Sequence, residues 1–360
     1  MIDYSKFISQ QRRNQATPKA LVENGKALFG TFDREFTKLN ILDCKNPTFW
    51  GNLFKKKKLS LWEALTLDFQ EGLLLSAVVD LGFFGMGFNI FFDKQTKKIY
   101  SFQTTVSSND VKFAANLLGG KETSISKPNF KMAFINDFDD GFVQVDSIQQ
   151  DKKVGNIAYH LKLNTLSKPS IVSIPFGKNR PLATEKQFFK ASGSLTINGK
   201  KYYLKEAATA VIDDHRAYYP RRAHYDWLTC LGKDERGKFQ AFNLTRNQSI
   251  NQENYNENLI WKENSISILP PVTFTHTAKS KDFVNSHKTP TQWMIKDKHD
   301  MVNLRLDIKA MNSQRQNYLI ARSDYFVVFG VLNGYIRDEN GTIYNYDGRI
   351  ALGEDKTIVL

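Results

Sequence analysis

The hydrophobic residues of this chain occur in short runs that polar turn residues separate. Segments 73–79, 88–92 and 99–106 are such runs, and the first two flank a glycine-rich corner at 82–87. Two more apolar runs, at 142–145 and 157–163, follow polar turns. Runs of this length bounded by glycine, asparagine and aspartate are typical of β-strands. The pattern therefore predicts a predominantly β protein.

Tight turns connect several of these predicted strands. Asn198-Gly199 follows a segment in which Leu195 and Ile197 alternate with polar residues, and an apolar segment returns after it. Asn-Gly favours a type I′ hairpin because both residues tolerate a positive φ. Asn340-Gly341 and Asp347-Gly348 repeat the signal near the C-terminus. Successive hairpins predict antiparallel meanders, hence a barrel or a sandwich.

Helical signals are few. Segment 109–118 has capping residues at its start and two glycines after its end, which predicts one helix. Segment 280–286 has the composition of a short turn. Strands do not alternate with long helices, so the pattern does not favour a parallel α/β sheet.

Length and composition fit a packed protein of two domains. The chain has 360 residues, of which 41% are hydrophobic and 24% charged. Aromatic residues make up 13%, an excess that favours strands and also apolar ligand pockets. We place an N-terminal arm at 1–24, a first domain at 25–190 and a second at 191–360.

The net charge of +13 favours acidic partners such as anionic lipid headgroups, nucleic acid or an anionic substrate. Apart from one cluster at 55–58, the lysines and arginines are dispersed, which favours a role in solubility and no specific nucleic acid. Peripheral contact with an anionic membrane stays open.

The two cysteines, Cys44 and Cys230, form neither a disulfide framework nor a metal-ligand pair. The N-terminus lacks the apolar core of a secretory signal, and no apolar stretch is long enough to span a bilayer. These features predict a cytoplasmic protein.

Several chemical motifs are absent. The corner at 82–87 has neither dinucleotide-binding nor P-loop spacing. The six histidines show no zinc-site spacing; a metal held by His215, His224 and a neighbouring aspartate is the one arrangement to consider, and its pattern is loose. There is no Gly-x-Ser-x-Gly elbow and no context for a cysteine nucleophile. We predict no metal and no cofactor.

Segment 213–227 concentrates ionisable groups after an apolar strand. It holds three aspartates, two histidines, three arginines and four aromatic residues. A carboxyl held against aromatic walls has a raised pKa and can act as a general acid. The alternative is an ion-pair network that closes one end of a barrel, and the sequence leaves both open. A second polar stretch, 243–258, is rich in amides and either lines a pocket or forms a long loop.

These segments resemble an uncharacterised family, domain of unknown function 2804. The resemblance rests on Trp62, the stretches 79–83 and 192–199, the 213–227 segment, 242–244, 257–258, 329–330 and Gly334. Tyr219 stands where the family has tryptophan, and amides replace a glycine-rich stretch after residue 244. More distantly, the hairpin at 198–199 followed by Ile212-Asp213-Asp214-His215 resembles the carotenoid hydratase, AttH and tocopherol-cyclase lipocalin-like group.

The resemblance implies an all-β fold of two tandem lipocalin-like antiparallel β-barrels. It also implies that Asp214 donates a proton to an alkene, with His215 beside it. The implied ligand-binding residues are Arg216, Tyr219, Arg222, Asp226, Trp227, Asn243, Glu257 and Asn258.

We therefore predict a protein that binds a hydrophobic small molecule (isoprenoid, acyl or polyketide-like); the sequence leaves open whether the protein also hydrates, isomerises or cyclises it. Two alternatives stay open. One is a lipid carrier without catalysis, and the other is a basic protein that binds anionic membranes or nucleic acid through its surface.

Overall fold

The structure is a computed structural model that describes residues 2–277, 291–318 and 321–359. The chain divides into two compact units. The first consists of Asn14–Thr96 and Tyr100–Tyr219, and the second of Pro220–Leu360 with Met1–Arg13 and Lys97–Ile99. Among the described residues the helices are short: α1 (Lys55–Lys58) and the 3-10 turns Tyr4–Phe7, Gln10–Arg12, Ile41–Asp43 and Ser108–Asp110.

The first unit contains one 15-stranded sheet and a two-stranded ribbon. The ribbon consists of β2 (Val22–Glu23) and β3 (Lys26–Ala27). The strands of the sheet are β1 (Asn14–Gln15), β4 (Gly30–Phe32), β5 (Ser60–Phe69), β6 (Gly72–Asp80), β7 (Phe84–Asp93), β8 (Ile99–Ser107), β9 (Val111–Lys112), β10 (Lys121–Lys127), β11 (Phe130–Asp137), β12 (Phe142–Asp151), β13 (Gly155–Thr165), β14 (Ser170–Pro175), β15 (Pro181–Ile197), β16 (Lys200–Tyr203) and β17 (Thr209–Ala217).

The main path of this sheet runs β8-β7-β6-β5-β17-β15-β13-β12-β11-β10-β9. Its two edge strands, β8 and β9, are consecutive in the chain and are joined by the turn Ser108–Asp110. Because the edges of the sheet meet in this way, it curls into a nearly closed antiparallel barrel. Residues of alternating strand positions, including Leu65, Phe134 and Ile212, fill its interior. We call this unit the first barrel.

The second unit contains a 10-stranded antiparallel sheet, which we call the second barrel. Its strands are β18 (Arg222–Lys233), β19 (Phe239–Arg246), β20 (Leu259–Lys262), β21 (Ser265–Ile268), β22 (Thr273–Thr277), β23 (Gln292–Lys296), β24 (Val302–Tyr318), β25 (Ala321–Arg337), β26 (Ile343–Asn345) and β27 (Ile350–Val359). The path β21-β20-β19-β18-β27-β25-β24-β23-β22 again has edges that are consecutive in the chain. Leu228, Trp293 and Leu304 belong to its interior.

The predicted all-β architecture of two lipocalin-like antiparallel barrels is confirmed. The Asn-Gly hairpin is confirmed too, since Asn198 and Gly199 have φ of 48° and 81° between β15 and β16. The units divide between Tyr219 and Pro220, whereas position 190 lies inside the continuous strand β15. Residues 1–13 belong to the second unit.

The predicted helix at 109–118 is wrong. The segment forms the turn Ser108–Asp110 and strand β9, and then an irregular stretch. The carbonyls of Ala114 and Ala115 accept hydrogen bonds from Arg216, which takes the place of a helical partner. The turn predicted at 280–286 lies outside the described residues. No helix among the described residues is both long and apolar enough to cross a membrane.

Candidate functional site

Three buried carboxyl groups and one arginine meet inside the first barrel. Strand β17 lies between β5 and β15, and its register places Asp214 opposite Glu63 on one side and Glu185 on the other. All three share strand faces with interior residues such as Leu65, Ile212 and Phe189, so their side chains point into the barrel. We call Glu63, Glu185, Asp214 and Arg216 the acid cluster; all four are buried.

Only one of the three carboxyl groups has an ionic partner in this cluster. Arg216 donates from Nε to Asp214 Oδ1 over 3.0 Å, and its Nη2 lies 3.4 Å from Oδ2. The same guanidinium donates to the Ala114 carbonyl over 2.8 Å. Glu63 accepts from the Asn136 amide over 2.7 Å, and Glu185 accepts from the backbone N–H of Phe36 over 2.9 Å.

The electrostatics of the cluster keep two of its acids protonated. Burial and the nearby charge of Asp214 raise the pKa of Glu63 to about 8. Burial, with a smaller contribution from Asp214, also raises the pKa of Glu185 to about 8. Burial raises the pKa of Asp214 as well, but Arg216 opposes that shift. Asp214 is the one of these three carboxyl groups that accepts hydrogen bonds from the guanidinium, and those bonds favour its ionised form.

Both glutamates keep one oxygen unpaired. Glu63 Oε2 and Glu185 Oε2 are buried and have no hydrogen-bond partner among the described residues. Unpaired buried polar atoms are uncommon in folded proteins because they lose hydration without compensation. Two acids with raised pKa values next to a third carboxyl group that an arginine contacts have the composition of a proton-transfer site.

The histidine predicted beside Asp214 lies elsewhere. Successive residues of a strand point to opposite faces, so the His215 side chain points away from the acid cluster. Its ring stacks on Trp62 with centroids 5.6 Å apart, and its Nε2 lies 3.5 Å from the Tyr219 hydroxyl. The structure thus brings together Asp214 and Arg216 from the predicted set, and separates His215 and Tyr219 from them.

The second half of segment 213–227 belongs to the second barrel. Arg222, Asp226 and Trp227 lie on β18, where Arg222 is exposed and the other two are buried. Trp227 donates from Nε1 to Asn243 Oδ1 over 2.7 Å. Asn243 in turn donates to the Glu257 carbonyl over 2.9 Å.

Asn258 ties neighbouring backbone segments together. Its side chain accepts from the Thr245 N–H over 2.7 Å and donates to the Pro270 carbonyl over 3.0 Å. The Glu257 carboxylate lies 3.3 Å from the Asn247 amide. The amide-rich stretch therefore fixes the loop between β19 and β20 through hydrogen bonds within the second barrel.

Asp226 is the centre of a separate cluster inside the second barrel. Arg246 donates from Nε and Nη2 to Asp226 Oδ2 over 3.0 and 2.7 Å. The Nε2 atoms of His224 and His276 lie 3.4 and 3.1 Å from Oδ1. The opposite nitrogens of both rings face Asp355 at 3.7 and 3.6 Å. We call these five residues the histidine–aspartate cluster.

The charges within this cluster shift the pKa values of its members. Burial opposes ionisation of Asp226, but His224, His276 and Arg246 hold its pKa well below the usual value. The hydrogen bond to Asp226 raises the pKa of His224, and burial together with the charge of Asp226 raises the pKa of Asp355.

Three members of this cluster could hold a metal ion. His224, Asp226 and Asp355 offer donor atoms that all lie within 4.8 Å of one another. Imidazole and carboxylate donors suit Zn²⁺. However, Arg246 donates two hydrogen bonds to Asp226, and His224 and His276 contact both aspartates, so each carboxylate already has partners within the cluster. The cluster is accounted for as an ion-pair network.

Sequence reasoning missed two residues of each cluster. Glu63 is an acidic residue within the mostly apolar strand β5, and that isolation was an available signal, whereas Glu185 stands beside Lys186 and Gln187 and gave none. His276 and Asp355 lie on β22 and β27, far along the chain from Asp226, and no local pattern connects them. Only strand register brings these residues together.

The fold and the acid cluster define a class: a double-barrel, lipocalin-like protein with protonated acids in one barrel. Residues 11–358 match the family described as domain of unknown function 2804 (DUF2804), so the chain belongs to that family and the predicted resemblance is confirmed. No curated protein sequence matches the chain.

The chain is also similar to solved structures of low sequence identity. Kievitone hydratase from Nectria haematococca is 12% identical with a TM-score of 0.45, over 83% of this chain and 88% of its own. CghA with Sch210972 is 9% identical with a TM-score of 0.39, over 84% and 88%. CghA alone is 9% identical with a TM-score of 0.39, over 96% of each chain. At these values the similarity carries no argument about activity.

Proposed function

We propose that this protein binds a hydrophobic small molecule inside its first barrel and transfers a proton to it from Glu63. One observation carries the proposal. Glu63 is a buried acid whose pKa is raised to about 8, and its Oε2 has no partner among the described residues. A carboxylic acid that stays protonated at neutral pH can donate that proton to a weakly basic substrate.

The surroundings of the cluster favour an apolar substrate. Much of the interior of the first barrel is aromatic and aliphatic, including Phe91, Phe102 and Phe130, although a buried hydrogen-bonded group of Asn89 and Gln149 also lies there. Such a lining favours a hydrophobic molecule, whereas a polar one would lose its hydration without compensation.

The chemistry that fits is protonation of a carbon–carbon double bond. The proton leaves Glu63 Oε2 and forms a C–H bond, and the electron pair of the double bond leaves a cation on the neighbouring carbon. The carboxylates of Asp214 and Glu63 then stabilise that cation by their charge. Addition of water and loss of one of its protons completes a hydration, and loss of a different proton from carbon completes an isomerisation. Attack by a second double bond, followed by loss of a proton from the resulting cation, completes a cyclisation. In each case the released proton restores the acid form of Glu63.

This assignment changes the role proposed for Asp214. Because Asp214 is the carboxyl that accepts hydrogen bonds from Arg216, we assign Asp214 to charge stabilisation and Glu63 to proton donation. Glu185, on the other side of Asp214, is equally buried and has a similar pKa, so its replacement is the matched control for replacement of Glu63. His215 lies on the opposite strand face and has no part in the proposal.

The experiment starts from the full chain as purified. Hydrophobic molecules extracted from it are identified by mass spectrometry, and the identified molecule is then incubated with the protein in D₂O. We expect the product to carry one deuterium on carbon. Replacement Glu63→Gln, which keeps the shape of the protonated acid, should slow that incorporation at least about 100-fold while the molecule still binds.

The same measurement separates the alternatives. Equal deuterium incorporation by wild type and Glu63→Gln would overturn the assignment of Glu63, and loss in Glu185→Gln alone would move the role to Glu185. A bound molecule that neither wild type nor variants change would instead identify a carrier. A protein that binds no hydrophobic molecule would refute the proposal as a whole.

A further inference from the structure

One surface of the first barrel exposes an unusual set of apolar side chains. Phe49, Trp50, Leu53, Phe54 and Phe83 are between 57% and 87% exposed. The first four precede α1, and Phe83 lies in the turn between β6 and β7. We call these five residues with Lys55–Lys58 the aromatic–lysine surface.

Two parts of the chain are joined in this surface. Lys57 Nζ donates to the Gly82 carbonyl over 2.9 Å and lies 5.4 Å from the centre of the Phe83 ring. Phe49 and Trp50 contact each other edge to face, with ring centres 5.5 Å apart. The exposed rings therefore lie on a fixed platform rather than on a free chain end.

The conformation that exposes these side chains is costly. Phe54 has a φ of 56°, in the left-handed region that residues other than glycine, asparagine and aspartate rarely adopt. Large exposed apolar side chains also order water around them, and adjacent groups of them mark interaction sites. A strained, apolar and exposed turn indicates a partner that buries it.

The charge of the surface indicates which partner. Four lysines occupy the single turn α1, directly after the apolar residues, and Lys56 and Lys57 are exposed. Aromatic side chains prefer the headgroup level of a bilayer, and lysines are attracted to anionic lipids. A single-stranded nucleic acid would need a basic groove that follows its backbone, whereas these lysines are confined to one turn.

The position of the surface also fits a lipid partner. Strand β5 begins at Ser60, three positions before Glu63, and Leu61 pairs with Asp80 at the end of β6. The aromatic–lysine surface therefore lies at the same end of the first barrel as the acid cluster. A hydrophobic molecule dissolved in a membrane would reach the protein at that end.

We propose that the aromatic–lysine surface docks the first barrel onto membranes with anionic headgroups. The proposal rests on exposure and charge at this surface, and it holds whether or not Glu63 transfers a proton. The apolar side chains enter the headgroup region, and the lysines contact the lipid phosphates and carboxylates.

The fluorescence of one tryptophan can report this contact. It has five tryptophans, and Trp50 is exposed whereas Trp62, Trp227, Trp261 and Trp293 are buried. With vesicles of phosphatidylcholine and phosphatidylserine that contain a brominated lipid, we expect quenching of Trp50 and sedimentation of the protein. Vesicles of phosphatidylcholine alone should bind at least about ten-fold more weakly, because each lysine contributes about five-fold near an anionic surface.

Variants and matched controls make the test specific. Lys56→Glu with Lys58→Glu should abolish sedimentation, and Phe49→Ala with Phe54→Ala should weaken it and reduce the quenching. Lys152→Glu with Lys153→Glu gives the same charge change at an exposed turn between β12 and β13, and Tyr203→Ala removes an exposed ring elsewhere. Both controls should bind as wild type does.

Three results would overturn the proposal. The first is wild-type protein that stays in the supernatant with anionic vesicles at low salt. The second is binding that the surface variants and the control variants weaken equally. The third is preferential binding of an RNA or DNA oligonucleotide through Lys56 and Lys58, which would assign the surface to nucleic acid. Extraction of a hydrophobic molecule from the same preparation is scored separately, so failure of either proposal is distinguishable.

Discussion

Glu63 illustrates how strongly one residue depends on its neighbours. It is buried beside Asp214, and the hydrogen bonds of Asn136 and Thr123 do not replace the hydration that its ionised form would need. The result is a glutamate that holds its proton at neutral pH. The same physics makes the folded protein sensitive to pH at this position.

Replacing Glu63 should change how stability depends on pH. Below about 4.5 both the folded and the unfolded protein hold this proton. Between that value and about 8 only the folded state holds it, so the free energy of unfolding falls as pH rises, by about 1.4 kcal/mol for each unit by which the pKa is raised. Above the folded pKa this contribution levels off.

We expect Glu63→Gln to reduce that slope between pH 5 and pH 8, because glutamine stays neutral. Urea unfolding followed by circular dichroism at several pH values measures it. Glu206→Gln, at an exposed position, is the control and should keep the wild-type slope. A slope that is unchanged in Glu63→Gln would mean that Glu63 ionises normally in the folded protein.

At the scale of single elements, the hairpin between β15 and β16 depends on one side chain. Asn198 has a φ of 48°, and its side chain also accepts from the Asn156 N–H over 2.8 Å and donates to the Val154 carbonyl over 3.0 Å. Asn198 therefore stabilises both its own turn and the start of β13. Its conformation and its hydrogen bonds can be tested separately.

Asn198→Gly keeps the conformation and removes the hydrogen bonds, whereas Asn198→Ala removes both. We expect losses of about 1 kcal/mol for glycine and about 2–3 kcal/mol for alanine in the free energy of unfolding. Chemical denaturation of the full chain measures both. Equal losses for the two variants would show that the positive φ contributes nothing.

Strand elements also explain why the acid cluster could not be read along the chain. The cluster needs Glu63 from β5, Glu185 from β15 and Asp214 from β17 to share one row of the sheet. A shift of one residue in either pairing would turn a carboxyl to the other face. Arg216 also takes up the carbonyls of 114 and 115, which is why the capping pattern at 109–118 did not produce a helix.

At the scale of the whole molecule, each compact unit holds one buried cysteine. Cys44 belongs to the first unit and Cys230 to the second, and both are buried. Burial also raises the pKa of the Cys44 thiol to about 11, which suppresses the reactive thiolate. Each thiol is therefore a natural probe for the opening of its own unit.

We expect both thiols of the native protein to react with a thiol reagent at least about 100-fold more slowly than in denaturant. The single variants Cys44→Ser and Cys230→Ser assign the two rates, which are followed by absorbance after reaction with Ellman's reagent. Rapid labelling of either cysteine under native conditions would contradict its burial.

The sequence by itself determined the β architecture, the 198–199 turn and the family. These features are local, because alternation and turn chemistry act over a few residues. It also identified Asp214, Arg216 and Asp226 as part of an ionisable segment. Segment 213–227 is one stretch of sequence, but in the structure its residues up to 219 belong to the first unit and those from 220 to the second.

The tertiary structure decided which charges meet. Glu63 and Glu185 reach Asp214, and His276 and Asp355 reach Asp226, through strand pairings between distant parts of the chain. It also decided which apolar residues stay exposed around Lys55–Lys58, since hydrophobicity alone does not distinguish Phe54 from the buried Phe88. Contacts between distant strands set burial and therefore charge state, and a local pattern does not contain them.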